Sequence, residues 1–287
     1  MSGLLATNAR RRRTDKIMRG LLAGATALAI VPLALILYYL LKKGIGAWSS
    51  SFFTTDPNGN FLGDPGGIKS AILGTLEIVG LATLIAVPLG IAVALYLVEF
   101  GRDSRFGAVV RYFVDVMTGV PSIVFGLFVY ITLVLTGVGG GFAGWKGSIA
   151  LGLLMLPIVT RAAEVVLLLV PDSLREAATA LGAPRWKVAT RIVLPTALPG
   201  LVTGALLAVA RAAGETAPLL FTAFAVNATT LSLSGPMNSL PLQIWNDVRQ
   251  AQDRYVTRAW GAALTLIVLI LVLTIPARIL SRRSRTT

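Results

Sequence analysis

The chain carries Glu176-Ala177-Ala178, then Gly182 after three residues, and then Ile192, Leu194 and Pro195 after nine more. Residues 173–181 are good helix formers, and Gly182 is a natural helix end. Pro184 suits the first position of a second helix over 185–192. We expect Leu194-Pro195 to end that helix. The stretch therefore predicts two short helices that meet at a glycine and form a compact knob.

Six apolar segments of membrane-spanning length surround this knob. The chain has 287 residues, of which 55% are hydrophobic and only 14% charged, whereas about a quarter of the residues in soluble domains are charged. A transmembrane helix needs about 20 apolar residues. The predicted fold is therefore an all-α integral membrane protein with six transmembrane helices. These helices cover approximately 21–41, 70–98, 109–136, 147–166, 198–225 and 260–279.

The basic residues are distributed as in a membrane protein. Lys and Arg outnumber Asp and Glu by 26 to 13, and they cluster in both tails and in the loops 99–107 and 167–197. Six spans place all four of these regions on one face, which the positive-inside rule makes cytoplasmic. This arrangement favours membrane topology over a nucleic-acid surface, and we expect no nucleic-acid partner.

The topology divides the chain into three parts. We expect a basic cytoplasmic N-terminal tail over 1–20, a transmembrane domain over 21–280 with the knob at 171–196, and a basic cytoplasmic C-terminal tail over 281–287. The first apolar segment is longer than the core of a secretory signal and lacks an A-x-A exit, so we interpret it as a retained helix. Residues 226–259 are too polar to span, and we expect a short surface helix over 242–258.

The composition excludes several kinds of chemistry. The chain has no Cys and no His, which removes histidine triads, cysteine nucleophiles and thiolate zinc sites. It has no G-x-x-x-x-G-K-[ST] motif, and Gly139 to Gly144 match G-x-G-x-x-G without the strand–turn–helix context that a nucleotide site needs. We therefore expect a subunit that is not an enzyme, with no catalytic residues, metal or cofactor of its own.

Arg211 and Glu215 are the first candidate site residues. They lie one helical turn apart in the predicted fifth span and can pair. Thirteen residues separate Leu198 from Arg211, which is about 20 Å along a helix. A charge inside the membrane costs at least about 2.5–3.5 kcal/mol, so it normally faces a pathway or a partner. We predict a substrate pathway in which Arg211 suits an anionic solute; a structural ion pair is the alternative.

Four further polar residues lie in predicted spans. Arg161 and Glu164 share one helical face and are candidate pathway residues, although they also suit snorkelling to the cytoplasmic interface. Ser122 follows Pro121 in the interrupted third span, where its hydroxyl could reach an oxyanion or the turn could simply allow tight packing. Glu77 has no partner within one turn, and the sequence does not decide whether it faces the interior or another subunit.

The spacing in the knob resembles the cytoplasmic signature of the binding-protein-dependent ABC importer permeases. It matches E-A-A, three residues, G, nine residues and I-x-L-P at every fixed position. The resemblance implies a type I importer architecture in which Glu176, Ala177, Ala178 and Gly182 couple the permease to a separate ATPase. ATP and Mg would then be bound by that ATPase.

Three other stretches resemble the phosphate-specific transport permeases, and in particular their PstA branch. These stretches are 119–128, 210–220 and 241–244. The resemblance implies import of inorganic phosphate by alternating access across the bilayer of the bacterial inner membrane. It also implies a homologous permease PstC, two copies of the ATPase PstB and an extracytoplasmic phosphate-binding protein. Two alternatives stay open: a permease for sulfate or molybdate, and an ATPase-independent channel or intramembrane enzyme.

Overall fold

Helices form almost all the regular structure of the computed structural model, which describes residues 2–59 and 63–283. Within those ranges the strand-like pairing is limited to one bridge between Pro57 and Gly66. The helices are α1 (Ser2–Gly44), α2 (Ser50–Thr54), α3 (Lys69–Glu99), α4 (Arg105–Gly119), α5 (Ser122–Val129), α6 (Gly144–Leu168), α7 (Asp172–Ala180), α8 (Arg185–Val188), α9 (Leu194–Ala213), α10 (Ala217–Leu220), α11 (Leu240–Val248) and α12 (Asp253–Arg283).

The number of membrane-spanning segments agrees with the sequence prediction. Five helical segments in the described ranges are long and apolar enough to cross a membrane, and α4 with α5 adds a sixth if that bent pair is one span. The two helices of the pair meet at 102°. Val120 is extended there because a residue before proline avoids the helical region. The prediction of one helix over 109–136 is therefore wrong.

The fifth span differs most from its prediction. Helix α8, a π-helical turn at Ala189–Val193 and helix α9 form one continuous helix, Arg185–Ala213. Leu194-Pro195 does not end a helix, and the span does not cover 198–225. Pro195 lies in the first turn of the α-helical segment that follows the π turn, where its missing N–H disturbs the hydrogen bonding least.

The two predicted tails belong to helices. Helix α1 runs without a break through residue 20, and its apolar portion is not buried within the chain. It meets α12 near its end, where Gly44 lies against Leu264. At the other terminus, residues 281–283 end α12, and 284–287 lie outside the described residues. The division of the chain at residues 20 and 280 stays a prediction.

The core lies where α3, α6 and α9 meet. Buried Ile78 on α3 and Leu151 on α6 belong to one cluster with Ala208 on α9. Two glycines allow the close approach of these helices: a Cβ at Gly90 would lie 2.8 Å from Val159, and one at Gly204 would lie 2.8 Å from Ala162. Small residues at such contacts are typical of helix packing in membranes.

The predicted surface helix over 242–258 is also wrong. Helix α11 ends at Val248, and the chain enters α12 at Asp253. The face of α11 that carries Asp247 is buried, because Arg258 donates two hydrogen bonds to this carboxylate at 2.8 and 2.6 Å. Burial raises the pKa of the Asp247 carboxyl, while its hydrogen bonds with Arg258 and Gln243 oppose that shift.

Candidate functional site

The knob has the predicted form. Helices α7 and α8 are joined through Gly182, whose φ is +80°, a left-handed conformation that favours glycine. The Gly182 N–H donates to the Thr179 carbonyl at 2.9 Å and the Ala183 N–H to the Ala178 carbonyl at 3.1 Å, which closes the turn. Glu176, Ala177 and Gly182 are exposed, whereas Ala178 is buried. The first three therefore face outward, and Ala178 packs the knob onto the helices behind it.

Arg211 and Glu215 lie at the opposite end of the same continuous helix. Arg211 is in the last turn of α9, and Glu215 follows the helix end at Ala213. Arg211 Nε lies 3.7 Å from Glu215 Oε1, and the two side chains are 64% and 17% exposed. This separation is beyond hydrogen-bond range. The predicted pair is present but loose, and most of the guanidinium is open.

The depth of Arg211 differs from the estimate made from the sequence. Because the helix begins at Arg185 and not near Leu198, Arg211 lies about 39 Å along it. It is therefore at the end of the spanning helix farthest from the knob, where the chain leaves the helix before the single turn of α10.

Ser122 approaches this region through α5. It is the first residue of that helix and is half-buried. Gly126 follows one turn later, and a Cβ there would lie 2.6 Å from Pro218 Cα. Residues four apart share a helical face. The face of α5 that carries Ser122 therefore packs towards the segment that follows Glu215.

Arg161 and Glu164 belong to a separate group of charges, which we call the four-residue charge group: Arg111, Asp115, Arg161 and Glu164. Glu164 accepts hydrogen bonds from Arg111 Nε at 2.8 Å and from Arg161 Nη1 at 2.5 Å. Arg161 also pairs with Asp115. Among the described residues no ion pair links this group to Arg211 or Glu215. The structure thus joins α6 to α4 through these charges and keeps the two predicted pairs apart.

Comparison with known proteins agrees with this architecture. The family model described as "Binding-protein-dependent transport system inner membrane component" matches residues 86–286. The chain belongs to this family. Its relatives include the phosphate transport system permease protein PstA of Haemophilus influenzae, 40% identical over 270 residues that cover 94% of each chain. PstA 1 of Mycobacterium tuberculosis strain H37Rv is 41% identical over 271 residues, which are 93% of this chain and 87% of the relative.

Solved structures of ABC transporters share the fold. The bacterial alginate ABC transporter has a chain that superimposes with a TM-score of 0.65 at 19% identity, covering 95% of this chain and 98% of that one. The inward-facing MetNI methionine ABC transporter gives 0.59 at 20% identity, covering 75% and 93%. The predictions of an all-α, type I importer permease and of a resemblance to the PstA branch are confirmed.

Sequence reasoning missed two exposed apolar residues on the knob of this family member. Leu181 is 90% exposed and Trp186 is 56% exposed, on either side of Gly182. Lys187 lies over the Trp186 ring at 5.5 Å. The sequence did contain a signal for them, namely large apolar side chains in a short polar loop. Exposed apolar groups surrounded by charge often mark interaction surfaces.

Two further residues could not be paired from the sequence. Arg111 and Asp115 complete the four-residue charge group from α4, about 50 residues before their partners on α6. Arg111 and Asp115 are four residues apart and can each face the residue of opposite charge in the pair Arg161 and Glu164. Only the fold brings the two helices together. Glu77 stays undecided: its Oε2 is buried and has no hydrogen-bond partner in the part of the chain that the structure describes.

Proposed function

We propose that this chain is a permease subunit of an ATP-driven importer of inorganic phosphate. Relatives named as phosphate transport system permeases, about 40% identical over nearly the whole chain, support the substrate. The importer would contain a homologous permease, PstC, two copies of the ATPase PstB, which binds ATP and Mg, and an extracytoplasmic phosphate-binding protein. Both termini and the knob would face the cytoplasm, as the distribution of basic residues indicates.

The continuous helix from Arg185 to Ala213 is the observation that carries the mechanism. Its 29 residues extend about 43 Å, from the knob to just beyond Arg211. In the proposal, the ATPase docks on the exposed residues Glu176, Ala177 and Gly182, with Ala178 packing beneath them. Because α8 continues into α9 without a loop, a displacement of the knob reaches the far end of the helix directly. ATP-driven closure of the ATPase pair would thereby alter the surroundings of Arg211.

Arg211 is the proposed contact for phosphate. A guanidinium presents several N–H donors in a plane and can bind two phosphate oxygens at once. The 3.7 Å separation from Glu215 leaves those donors available, while the carboxylate still favours one orientation of the arginine. Ser122, on the α5 face that packs towards the same segment, would add a hydroxyl. An anion held by one arginine beside a carboxylate is bound weakly enough to leave, as transport requires.

Arg161 and Glu164 receive a different role in this proposal. They were predicted along the same pathway, with placement at the cytoplasmic interface as the alternative. Their bonds to each other and to Arg111 and Asp115 occupy the charges that a solute would need. These contacts favour a role that neither prediction named, in which the two residues hold α4 on α6.

Uptake of radiolabelled phosphate tests the proposal. Cells that lack this chain would receive the intact sequence, Arg211→Gln, or the matched control Arg19→Gln. Arg19 is also an exposed arginine paired with an acidic residue four positions away, at 2.8 Å from Asp15. We expect uptake with the intact chain and the control, and its loss with Arg211→Gln.

Competing anions distinguish phosphate from the other oxyanions. We expect excess sulfate or molybdate to leave the restored uptake unchanged. Strong competition by either anion would assign the chain to that substrate and remove phosphate from the proposal. Failure to co-purify a nucleotide-binding subunit would instead favour an ATPase-independent channel.

A further inference from the structure

Helix α3 is separated from the knob along the chain by α4, α5 and α6. The knob follows α6 after only three residues, 169–171, and continues on its other side into α8 and α9. Motion of the knob therefore reaches α6 and α9 through the chain itself. Helix α3 packs along α6 in the core but ends at Glu99, far from the knob in sequence. Its direct links to the knob are therefore non-covalent contacts.

Arg175 makes such a contact from within the knob. It lies in the first turn of α7, and all three of its guanidinium nitrogens donate hydrogen bonds. Nε donates to Glu99 Oε1 at 3.0 Å and Nη2 to the Leu167 carbonyl at 3.0 Å. Nη1 donates to the Val170 carbonyl at 2.6 Å and to Asp172 Oδ1 at 3.0 Å. One side chain thus joins the ends of α3 and α6 to the start of α7.

The chemistry of this junction requires a guanidinium. The Leu167 carbonyl belongs to the last turn of α6 and the Val170 carbonyl lies two residues beyond its end, a region where the helix dipole favours a cation. Glu99 is the last residue of α3 and its side chain is 10% exposed, while that of Arg175 is 18% exposed. A planar group with five donors serves these acceptors at once, whereas a lysine ammonium is a compact point charge.

A second arginine holds the end of α3 in the same place. Arg111 Nη2 donates to the Leu97 carbonyl at 2.7 Å while its Nε donates to Glu164 on α6. The last turn of α3 is therefore attached at two points, one to the knob and one to the four-residue charge group. A displacement of α7 has a bonded route into α3 that does not depend on the apolar core.

We propose that Arg175 is a positioning residue that fastens α7 to α3 through Glu99, so that the motion imposed by the ATPase moves α3 together with α6 and α9. This inference rests on the proposed function and specifies how its coupling is transmitted. Without the Arg175–Glu99 contact, the ATPase would still bind the knob and α6 would still follow it. The end of helix α3 would then be held only by Arg111 and by its packing on α6, so it would follow the knob less closely, and less phosphate would be transported per ATP hydrolysed.

The ratio of transport to hydrolysis tests this inference in the assembled importer. The complex, purified with its ATPase, would be reconstituted into vesicles together with the phosphate-binding protein. Phosphate uptake and ATP hydrolysis would be measured in the same vesicles for Arg175→Gln, Arg175→Lys and Glu99→Gln. Asp172→Asn is the matched control, because it neutralises the exposed carboxylate bound by the same guanidinium (side chain 70% exposed) and leaves Glu99 in place.

We expect uptake per ATP to fall about 5-fold or more in Glu99→Gln and Arg175→Gln, the range of an ordinary coupling between two sites. Uptake per ATP in Arg175→Lys should lie between that of these variants and that of the intact chain. In Asp172→Asn it should equal that of the intact chain. An unchanged ratio in Glu99→Gln, or an equal loss of uptake and hydrolysis, would overturn the inference. If Arg175→Gln fails to assemble, Glu99→Gln decides the matter because it leaves the bonds from Arg175 to α6 intact.

A distance measurement separates this inference from the proposed function. The chain has no Cys, so spin labels can be introduced at the exposed positions Phe100, just after α3, and Ser173, on α7. We expect the distance between the Phe100→Cys and Ser173→Cys labels to stay constant when the complex binds ATP, and to change on ATP binding when Glu99→Gln is added. If the distance between the labels responds to ATP in the same way with and without Glu99→Gln, the role of Arg175 is contradicted, whatever solute the importer carries. Absence of phosphate uptake by the intact complex would count against the proposed function alone.

Discussion

The two groups of charges in the spanning helices look alike in sequence and differ in the folded chain. Each contains an arginine followed three or four residues later by a glutamate. Glu164 is almost fully buried and binds two arginines at 2.5 and 2.8 Å, whereas Glu215 lies 3.7 Å from a single arginine that is 64% exposed. A carboxylate bound by two cations holds helices together. A loosely paired arginine leaves its donors open, as the proposed contact with phosphate requires.

The largest effect should come from breaking the buried group. Glu164→Leu leaves Arg111 and Arg161, whose side chains are 26% and 31% exposed, without their shared carboxylate, and an unsatisfied polar group costs about 1–3 kcal/mol, more when it is charged. We expect a marked fall in the unfolding temperature of the purified complex. Glu215→Leu is the control, with little change expected. If the two variants lowered the unfolding temperature equally, Glu215 would be as important for stability as Glu164, and the contrast between the two groups would be wrong.

Arg211→Gln should separate stability from transport. A hydrogen bond to a charged group contributes about 1.5–3 kcal/mol, so its loss should lower uptake about 10- to 100-fold. The unfolding temperature should stay that of the intact chain, because Arg211 makes only a loose pair. A fall in stability as large as that of Glu164→Leu would instead make Arg211 a structural residue.

The two ends of the continuous helix allow a smaller, sharper test. Gly182 near the knob end has φ +80°, whereas Gly214 at the Arg211 end has φ −93°. A left-handed conformation costs a side-chain-bearing residue about 1–2 kcal/mol, most for a β-branched one. Gly182→Val should weaken co-purification of the ATPase more than Gly182→Asn does. Gly214→Ala should leave co-purification of the ATPase unchanged, since alanine readily adopts the backbone conformation of Gly214. Equal losses of co-purification at both glycines would contradict the role given to the left-handed turn at Gly182.

Glu215→Gln should have the smallest effect on stability. Partly exposed ion pairs contribute about 0–1 kcal/mol, so the unfolding temperature should hardly change. If Glu215 orients Arg211, the concentration of phosphate at half-maximal uptake should shift, with the complex still intact. A loss of stability comparable to that of Glu164→Leu would remove the contrast between the two groups.

Much of the architecture could be predicted because its signals are local. Apolar segments of sufficient length give the spans, and a glycine between two helix-forming runs gives the knob. The proximity of Arg211 and Glu215 was also predicted from their spacing, although Glu215 lies just beyond the helix end and the pair is loose. The partners of Glu164 could not be predicted, because Arg111 and Asp115 lie on another helix about 50 residues away. The spacing of Arg161 and Glu164 was as compatible with a pathway as with snorkelling to the cytoplasmic interface, and it did not indicate a contact with α4.

The errors have a common physical origin. Pro195 was expected to end a helix, yet the π turn before it lets the backbone continue to Ala213. Polar residues after 226 were expected on a surface, yet Asp247 on α11 is buried. Its burial is tolerated because Arg258 on α12 pairs with it. In each case the favourable partner or geometry is supplied by residues that a local pattern does not contain.

The sequence by itself determined that the chain spans a membrane with six segments and places a two-helix knob between the fourth and fifth, because hydrophobicity and turn formation act over a few neighbouring residues. Only the tertiary structure decided which charges are saturated and which stay open. That distinction depends on how closely distant helices approach, since burial and the number of partners around a charge set its energy. Glu164 is held between two arginines by such contacts. The guanidinium of Arg211, at the far end of the helix that leads from the knob, stays largely exposed.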